Sequence, residues 1–252
     1  MTCVDEDCVR FRQVVRKMSP VEHDSPSPER FPKTARLLPL PSLVLFPRVV
    51  QPLRICEPRD RELLEAALAD DRLIATALLA PGWEHDYEGR PRLLPVACLG
   101  RIAAHHCLDD GSSNVLVAGL RRVRLLRELP PTKGFREAEV ELLEDVCFPA
   151  DAARERAFQR RLRDALARVL PDLPAAGDSL HQLLHGDVSL GALTDIISHL
   201  LDIELEAKHA LLAEANVHRR AESLLGHLSA VASDTALGRA GRSEFPPEFG
   251  LN

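Results

Sequence analysis

The sequence lacks the motifs that identify most nucleotide-binding and hydrolytic enzymes. It contains no G-x-x-x-x-G-K phosphate loop and no G-x-S-x-G nucleophile turn, so we expect neither ATP hydrolysis nor serine-type catalysis. His181 and His185 have the spacing of a zinc-protease helix, but Gln182 stands where the general-base glutamate is needed. This favours a solvated or amphipathic pair of histidines over a metal site. We therefore predict a protein that is not an enzyme and that holds no metal or cofactor.

Long apolar runs and an excess of positive charge are also missing. The best apolar stretch, 37–46, is broken by Pro39 and Pro41 and is shorter than the roughly 18 residues that a membrane helix needs. Residues 5–7 are acidic, where a secretory signal would be basic. We therefore expect no membrane partner and a cytoplasmic location. With 32 basic against 38 acidic residues and no strongly basic segment, nucleic acid is disfavoured as a partner.

The six cysteines show no C-x-x-C spacing, so the usual zinc and redox motifs are absent. In the cytoplasm they would be reduced, and we interpret them as packing residues. His105, His106 and Cys107 form one further cluster that could hold a metal. Adjacent strand residues point to opposite faces, so at most two of the three could share an ion. The end of a strand beside the Asp109–Gly111 turn is the favoured interpretation.

Four regions differ in composition along the chain. Residues 1–36 contain repeated Ser-Pro pairs without hydrophobic periodicity and predict a flexible leader. Residues 37–149 contain short apolar runs separated by turn residues, which is typical of a small barrel or sandwich. Residues 150–237 are rich in Ala, Leu, Arg and Glu with helical periodicity and predict a helical bundle. Residues 238–252, which include a Pro-Pro pair, predict a flexible tail.

Several local signals define elements inside these regions. Pro58 predicts the first turn of a helix, because its fixed φ and missing N–H are tolerated there. Asp109–Gly111 predicts a hairpin, and Asn216 predicts the N-cap of a last helix. Apolar runs that predict extended segments lie at 43–46, 49–55, 73–79, 95–104, 114–119, 122–126 and 138–143.

The only tryptophan and the only tyrosine, Trp83 and Tyr87, lie in one loop, Pro81–Gly89. Aromatic side chains bury a large area, so an exposed pair could anchor a bound polypeptide. Alternatively, the two rings fold back and fix a long loop onto the barrel. The sequence leaves both interpretations open.

Arg121, Arg122, Arg124 and Arg127 form a basic segment, and the first three are a second candidate site. On a strand, Arg122 and Arg124 would lie on the face opposite Val123 and Leu125. We expect this face to be solvated and matched by acidic residues, namely Glu128, Glu137 and Glu139. A polyanion-binding site is the alternative.

Several segments resemble the N-terminal domain of Lon proteases. They are L-P-L-P-S-L-V-L-F-P at 38–47, P-L-R-I-C-E-P-R-D-R at 52–61, P-V-A-C-L-G-R-I at 95–102, V-A-G-L-R-R-V at 117–123 and A-E-V-E at 138–141. They occur in the order of that family, and the resemblance extends from about residue 37 to the helices near residue 228. Cys56 and Asp60 stand where the family commonly carries aromatic residues.

This resemblance implies an α+β fold: a PUA-like β pseudo-barrel with one short helix, followed by a C-terminal helical bundle. In full-length Lon proteases the domain recognises polypeptides and precedes an ATPase and a protease. Neither is present before Asn252, so the chain resembles a stand-alone bacterial form of the substrate-binding domain.

The resemblance also implies a function. It is the binding of unfolded or exposed apolar polypeptide segments, as an adaptor or regulator of proteolysis. The implied partners are client polypeptides and a full-length Lon protease. RNA binding through the PUA-like barrel is the alternative, with the arginines at 121, 122 and 124 as its candidate site.

Overall fold

A computed structural model describes residues 31–147, 152–169 and 188–240 of the chain. Within these ranges the strands are β1 (Thr34–Leu40), β2 (Val50–Ile55), β3 (Leu73–Leu78), β4 (Val96–Cys107), β5 (Ser113–Glu128) and β6 (Arg136–Leu142). The helices are α1 (Pro58–Leu68), α2 (Ala152–Val169), α3 (Leu190–Leu200), α4 (Leu205–Ala213) and α5 (Val217–Ala240). Helix α1 therefore lies between β2 and β3, and the other helices follow the last strand.

Five of the described strands close into a small barrel. β1 pairs in parallel with β3 and antiparallel with β6, while β3 pairs with β4, β4 with β5, and β5 with β6. The parallel β1–β3 pair needs a crossover connection, and the segment with β2 and α1 provides it. β2 pairs only with β5 among the described strands; its second edge pairs with none of them, and we call it the open edge.

Along one edge, β5 pairs first with β2 and then with β6, and Gly119 lies between the two paired stretches. A Cβ atom at Gly119 would lie 2.1 Å from the carbonyl oxygen of Phe46. The N–H of Arg48, a residue with a left-handed φ of 65°, donates to the carbonyl oxygen of Gly119 at 2.7 Å. Glycine is therefore needed here because the backbone of the preceding loop packs directly against β5.

Local sequence determines where two of the helices begin. Pro58 opens α1, as predicted. Asn216 caps α5: its Oδ1 accepts hydrogen bonds from the N–H groups of His218 and Arg219, both at 3.1 Å. The Asp109–Gly111 hairpin is also present, and Gly111 takes a φ of 76° there.

Alternate residues of the strands contribute to two apolar cores, because successive side chains point to opposite faces. The first core fills the barrel with small and aliphatic side chains, namely Ala35, Leu37, Leu73, Ala75, Ala77, Ala97, Leu99, Leu120, Val123, Ala138 and Val140. The second core joins the outer face of the barrel to the helices. It combines Leu38 and Ile74 from strands with Leu63 of α1, Leu193 of α3 and Leu224 of α5.

The predicted α+β fold, a barrel followed by helices, is confirmed. The folded part begins earlier than the predicted leader allows, because residues 34–37 pair with β6. The last helix runs to Ala240, three residues into the predicted tail. The rest of the leader and tail, together with His181 and His185, lies outside the described residues.

Two details of the strand prediction differ from the structure. Segments 114–119 and 122–126 belong to one continuous strand, β5, because the chain passes Gly119 without a turn. Segment 43–46 is not a strand, although Leu45 and Phe46 are fully buried. An apolar run reports burial, and here a buried loop has the same composition as a buried strand.

Candidate functional site

Residues 81–89, here called the aromatic loop, leave the barrel between β3 and β4. At its base the N–H of Ala80 donates to the carbonyl oxygen of Arg92 at 2.8 Å. Gly82 takes a φ of 87° and precedes a 3₁₀ turn over Trp83–Asp86. Glycine adopts this left-handed backbone without strain, so the loop can turn sharply and bring its two aromatic residues together.

Trp83 and Tyr87 contact each other edge to face, with ring centroids 5.4 Å apart and an interplanar angle of 62°. The Tyr87 hydroxyl donates to a carboxylate oxygen of Glu57. The Arg59 guanidinium lies 4.8 Å from the Tyr87 ring centroid and donates to the Tyr87 carbonyl oxygen at 3.1 Å. The hydrogen bond to Glu57 and burial raise the pKa of Tyr87.

Tyr87 therefore fixes the aromatic loop to the start of α1, which was one of the two interpretations of the sequence. Both rings nevertheless remain partly exposed. The contacts hold Tyr87 in one orientation, and Trp83 rests against it. An aromatic pair held in this way loses little further conformational entropy when a partner binds.

The aromatic loop lies beside the end of β2, the strand with an open edge. Glu57, the partner of Tyr87, follows the last residue of β2, Ile55, by two positions. Pro52 and Arg54 of β2 are exposed, and proline or a charged residue on an edge strand hinders uncontrolled pairing between copies. The edge still offers backbone groups to an extended segment.

A cavity of about 150 Å³ adjoins the aromatic loop, and we call it the Asp60 pocket. Its walls come from the end of the loop, the first turn of α1 and the turn that precedes β6, and they include Arg59, Asp60, Glu88, Arg90, Lys133 and Phe135. Burial and the negative charge of Glu57 raise the pKa of Asp60 to about 6, although Arg59 partly offsets them. The pocket thus holds a carboxylate whose charge is disfavoured by the fold.

The predicted solvated face is wrong for Arg122. Its side chain is 2% exposed, its Nε donates to the carbonyl oxygen of Leu212 at 2.8 Å, and its terminal nitrogens donate to Asp195. Helices α3 and α4 cover the strand at this position. The neighbouring Arg124 lies beyond them and pairs with Glu141 at 2.9 Å, both side chains about half exposed.

The three arginines therefore do not form one anion-binding surface, because Arg122 is buried between the barrel and the helices. Of the three acidic residues expected to match the basic segment that includes Arg127, two pair with residues outside it. Glu139 pairs with Arg127, but Glu128 pairs with Arg136 and Glu137 with Lys133.

Arg122 belongs to a cluster of charges that connects the barrel to the helices and that sequence reasoning missed. We call it the joint cluster; its members are Arg48, Arg122, Asp145, Asp195 and Arg220. Asp195 is fully buried and accepts a hydrogen bond from Arg48 at 3.0 Å besides those from Arg122. A lone carboxylate within the apolar run 190–197 was the one sign of it in the sequence.

Asp145 holds the other half of the joint cluster. Arg220, which is fully buried, donates to both of its carboxylate oxygens at 3.0 and 3.1 Å. Burial raises the pKa of Asp145, but the hydrogen bond and charge of Arg220 outweigh it and hold that pKa below its usual range. The charged groups of the cluster pair with one another, so we interpret the cluster as a structural connection between the barrel and the helices.

The described cysteines and histidines form no metal-binding centre. Burial raises the pKa of Cys98 to about 12, which keeps its thiol protonated and unreactive. Cys56, Cys107 and Cys147 are exposed free thiols, so the packing interpretation is wrong for these three. His105 and His106 are exposed at the end of β4. Within the described ranges, no group of three His, Cys, Asp or Glu residues is placed to hold a metal ion.

The arrangement as a whole is an α+β barrel domain that carries a helical bundle, with an aromatic loop beside an open strand edge. The family model of the substrate-binding domain of ATP-dependent protease La (Lon) matches residues 34–230. The chain therefore belongs to the Lon substrate-binding domain family. None of the helices in the described ranges combines the length and apolar character that a transmembrane span requires.

Curated relatives agree with this assignment. Lon protease 2 of Myxococcus xanthus is 26% identical over 199 residues, which is 78% of this chain and 24% of the relative. Lon protease of Paraburkholderia phytofirmans is 29% identical over 194 residues, which is 75% of this chain and 23% of the relative. The chain thus spans about a quarter of the length of these relatives.

Two solved structures share the fold. The N-terminal domain of Lon protease from the Mycobacterium avium complex superposes with a TM-score of 0.63 at 17% identity, covering 78% of this chain and 98% of that one. A Lon N-terminal domain protein from Xanthomonas campestris superposes with a TM-score of 0.55 at 24% identity, covering 77% and 97%. The resemblance identified from the sequence is confirmed.

Proposed function

We propose that this chain binds unfolded or exposed apolar segments of other polypeptides and catalyses no reaction of its own. Membership of the Lon substrate-binding domain family supports substrate binding as the general role. The partly exposed aromatic pair, held beside the open edge of β2, is the observation that carries the more specific proposal.

In this proposal an extended segment adds to the open edge of β2, and its apolar side chains pack on Trp83. Main-chain hydrogen bonds supply affinity for any sequence, while side-chain contacts select apolar ones. Tyr87, held by Glu57 and Arg59, supports Trp83 through the edge-to-face contact of the two rings. This preorganisation favours binding because the surface does not need to be ordered by the ligand.

The proposal also covers the binding partners of the chain and its location in the cell. Client polypeptides bound at this surface would be presented to, or withheld from, a full-length Lon protease, so that the chain acts as an adaptor or regulator of proteolysis. The cytoplasm suits it, because the exposed thiols of Cys56, Cys107 and Cys147 persist in a reducing compartment. The RNA-binding alternative has lost support with the burial of Arg122.

The test uses the full chain and a fluorescently labelled protein kept unfolded by reduction and carbamidomethylation of its cysteines. Binding is followed by fluorescence anisotropy. Trp83→Ala is expected to weaken it by at least about tenfold, as for a central aromatic anchor. Leu200→Ala removes an exposed apolar side chain from the helical bundle and is the control, with unchanged affinity expected.

Tyr87→Phe separates anchoring from loop support. It keeps the ring but removes the hydrogen bond to Glu57, so a moderate loss is expected through greater freedom of the loop. If the combined Trp83→Ala and Tyr87→Ala variant binds the unfolded protein as well as the native chain does, the anchor assignment is wrong.

A further inference from the structure

The aromatic loop carries charge of one sign. Glu84, Asp86 and Glu88 are all exposed, and residues 81–89 contain no lysine or arginine. Charges at the rim of a binding surface steer complementary partners and repel like-charged ones. A segment that packs on Trp83 therefore meets a negative rim.

The cations that line the Asp60 pocket already have carboxylate partners. The pairs are Arg59 with Glu57 at 2.8 Å, Lys133 with Glu137 at 2.8 Å, Arg136 with Glu128 at 2.5 Å and Arg90 with Glu128 at 3.3 Å. Three carboxylates thus partner the four cations, because Glu128 accepts from both Arg90 and Arg136. These four cations line the pocket and are already paired with carboxylates, which disfavours an anionic ligand.

Asp60 is the exception among the pocket residues. Within the described part of the chain its carboxylate receives no hydrogen bond, although the residue is only partly exposed. Burial and the charge of Glu57 raise its pKa to about 6. At neutral pH the ionised carboxylate therefore lowers the stability of the folded chain. Groups with this combination, set in a cavity, are common at binding sites.

The size of the pocket limits its occupant. About 150 Å³ is well below the roughly 300–1,000 Å³ of small-molecule sites. The space suits one side chain of a larger ligand. A lysine or arginine side chain would place its aliphatic stem along Phe135 and its charged end at Asp60.

We infer that the aromatic loop and the Asp60 pocket together select polypeptide segments in which a basic residue accompanies apolar ones, with Asp60 as the group that binds the basic side chain. The inference rests on the proposed function and narrows it from apolar segments in general to basic, apolar segments. The negative rim at Glu84, Asp86 and Glu88 acts in the same direction by repelling acidic segments.

Three short synthetic peptides test the inference. They share one tryptophan-free apolar core and differ only in flanking residues, which are Lys, Ser or Glu. Each is titrated into the full chain, and binding is read from the fluorescence of Trp83, the only tryptophan. The Lys peptide is expected to bind about tenfold more tightly than the Glu peptide at low salt, with a smaller ratio at high salt.

Substitution of Asp60 then separates the pocket from the rim. Asp60→Asn is expected to weaken the Lys peptide by about threefold to tenfold and to leave the Ser peptide unchanged. The control Glu206→Gln removes an exposed carboxylate from α4 and should change neither. Folding of Asp60→Asn is not at risk, because the native charge is disfavoured by the fold.

The possible results distinguish this inference from the proposed function. Equal affinities for the three peptides, tighter binding of the Glu peptide, or an Asp60→Asn variant that keeps the Lys preference would overturn the inference and leave polypeptide binding intact. If none of the peptides and no unfolded protein binds, the proposed function fails, and the inference fails with it.

Discussion

Asp195 offers the sharpest test of how the barrel is joined to the helices. Its side chain is fully buried on α3 and accepts hydrogen bonds from Arg48 and Arg122, which belong to the barrel side of the joint cluster. Asp195→Asn keeps the shape of the side chain but removes its charge. Three arginines of the cluster would then share the single carboxylate of Asp145.

The expected loss follows from the burial of these groups. Arg122 is 2% exposed, so it cannot replace its lost partner with water. Removal of one member of a buried ion pair typically costs about 3 to 5 kcal/mol. Because the free energy of unfolding of a domain is about 5 to 15 kcal/mol, Asp195→Asn should remove a large part of it. The melting temperature should fall by about 6 to 20 °C for a chain of this size.

Urea unfolding followed by far-UV circular dichroism measures this loss. Fluorescence of Trp83 gives a second probe that lies on the barrel rather than on α2–α5. Asp164→Asn, at an exposed position of α2, is the control and should change stability by less than about 0.5 kcal/mol. A double variant, Arg122→Met with Asp195→Leu, removes both charges and should recover much of the loss.

A loss below about 1 kcal/mol for Asp195→Asn would refute this reasoning. It would mean that water or a rearranged Asp145 compensates Arg122, and that the joint cluster is not closed to solvent. A double variant no more stable than Asp195→Asn alone would contradict the argument in another way, because the apolar pair would then fail to pack.

Three further predictions concern stability. Asp60→Asn should raise the free energy of unfolding at pH 7 by about 1 to 3 kcal/mol; the gain should shrink as the pH falls from 6 to 4, where folded Asp60 takes up its proton. Burial and the charge of Lys208 lower the pKa of His199 from 6.5 to about 4. The stability of the native chain should therefore fall as the pH drops from 6.5 to 4, because only the unfolded chain binds the proton in this range. His199→Gln should flatten this slope in urea unfolding at several pH values, and an unchanged slope would contradict it. Gly119→Ala should lose about 1 to 3 kcal/mol, since its Cβ would lie 2.1 Å from the Phe46 oxygen. The matched change Gly226→Ala, whose Cβ would have nothing within 4 Å, should stabilise α5, and thermal melts of both glycine variants measure the two effects.

Features that depend on neighbours in the chain could be predicted from the sequence. Pro58 opens α1 and Asn216 caps α5, because a fixed φ or a short polar side chain acts on the next few backbone groups. The Asp109–Gly111 hairpin follows from the same kind of local constraint. The order of strands and helices, and with it the fold class, rests on such local patterns and on the family resemblance.

Pairing between distant segments was outside the reach of local patterns. β1 was assigned in part to the leader because its partners, β3 and β6, lie far along the chain. Arg122 was expected on a solvated face, since strand alternation tells which residues share a face but not what covers it. Only the packing of α3 and α4 against β5 turns that face into the interior.

The candidate site shows the same division. The amino-acid sequence alone determined that Trp83 and Tyr87 share a loop, since only three residues lie between them. The folded chain decided that Tyr87 binds Glu57 and Arg59, and that Asp60 lies in a cavity with its pKa raised. Such contacts arise because α1 and the aromatic loop pack together on the outside of the barrel, and the burial and charge at a given atom depend on every segment brought near it.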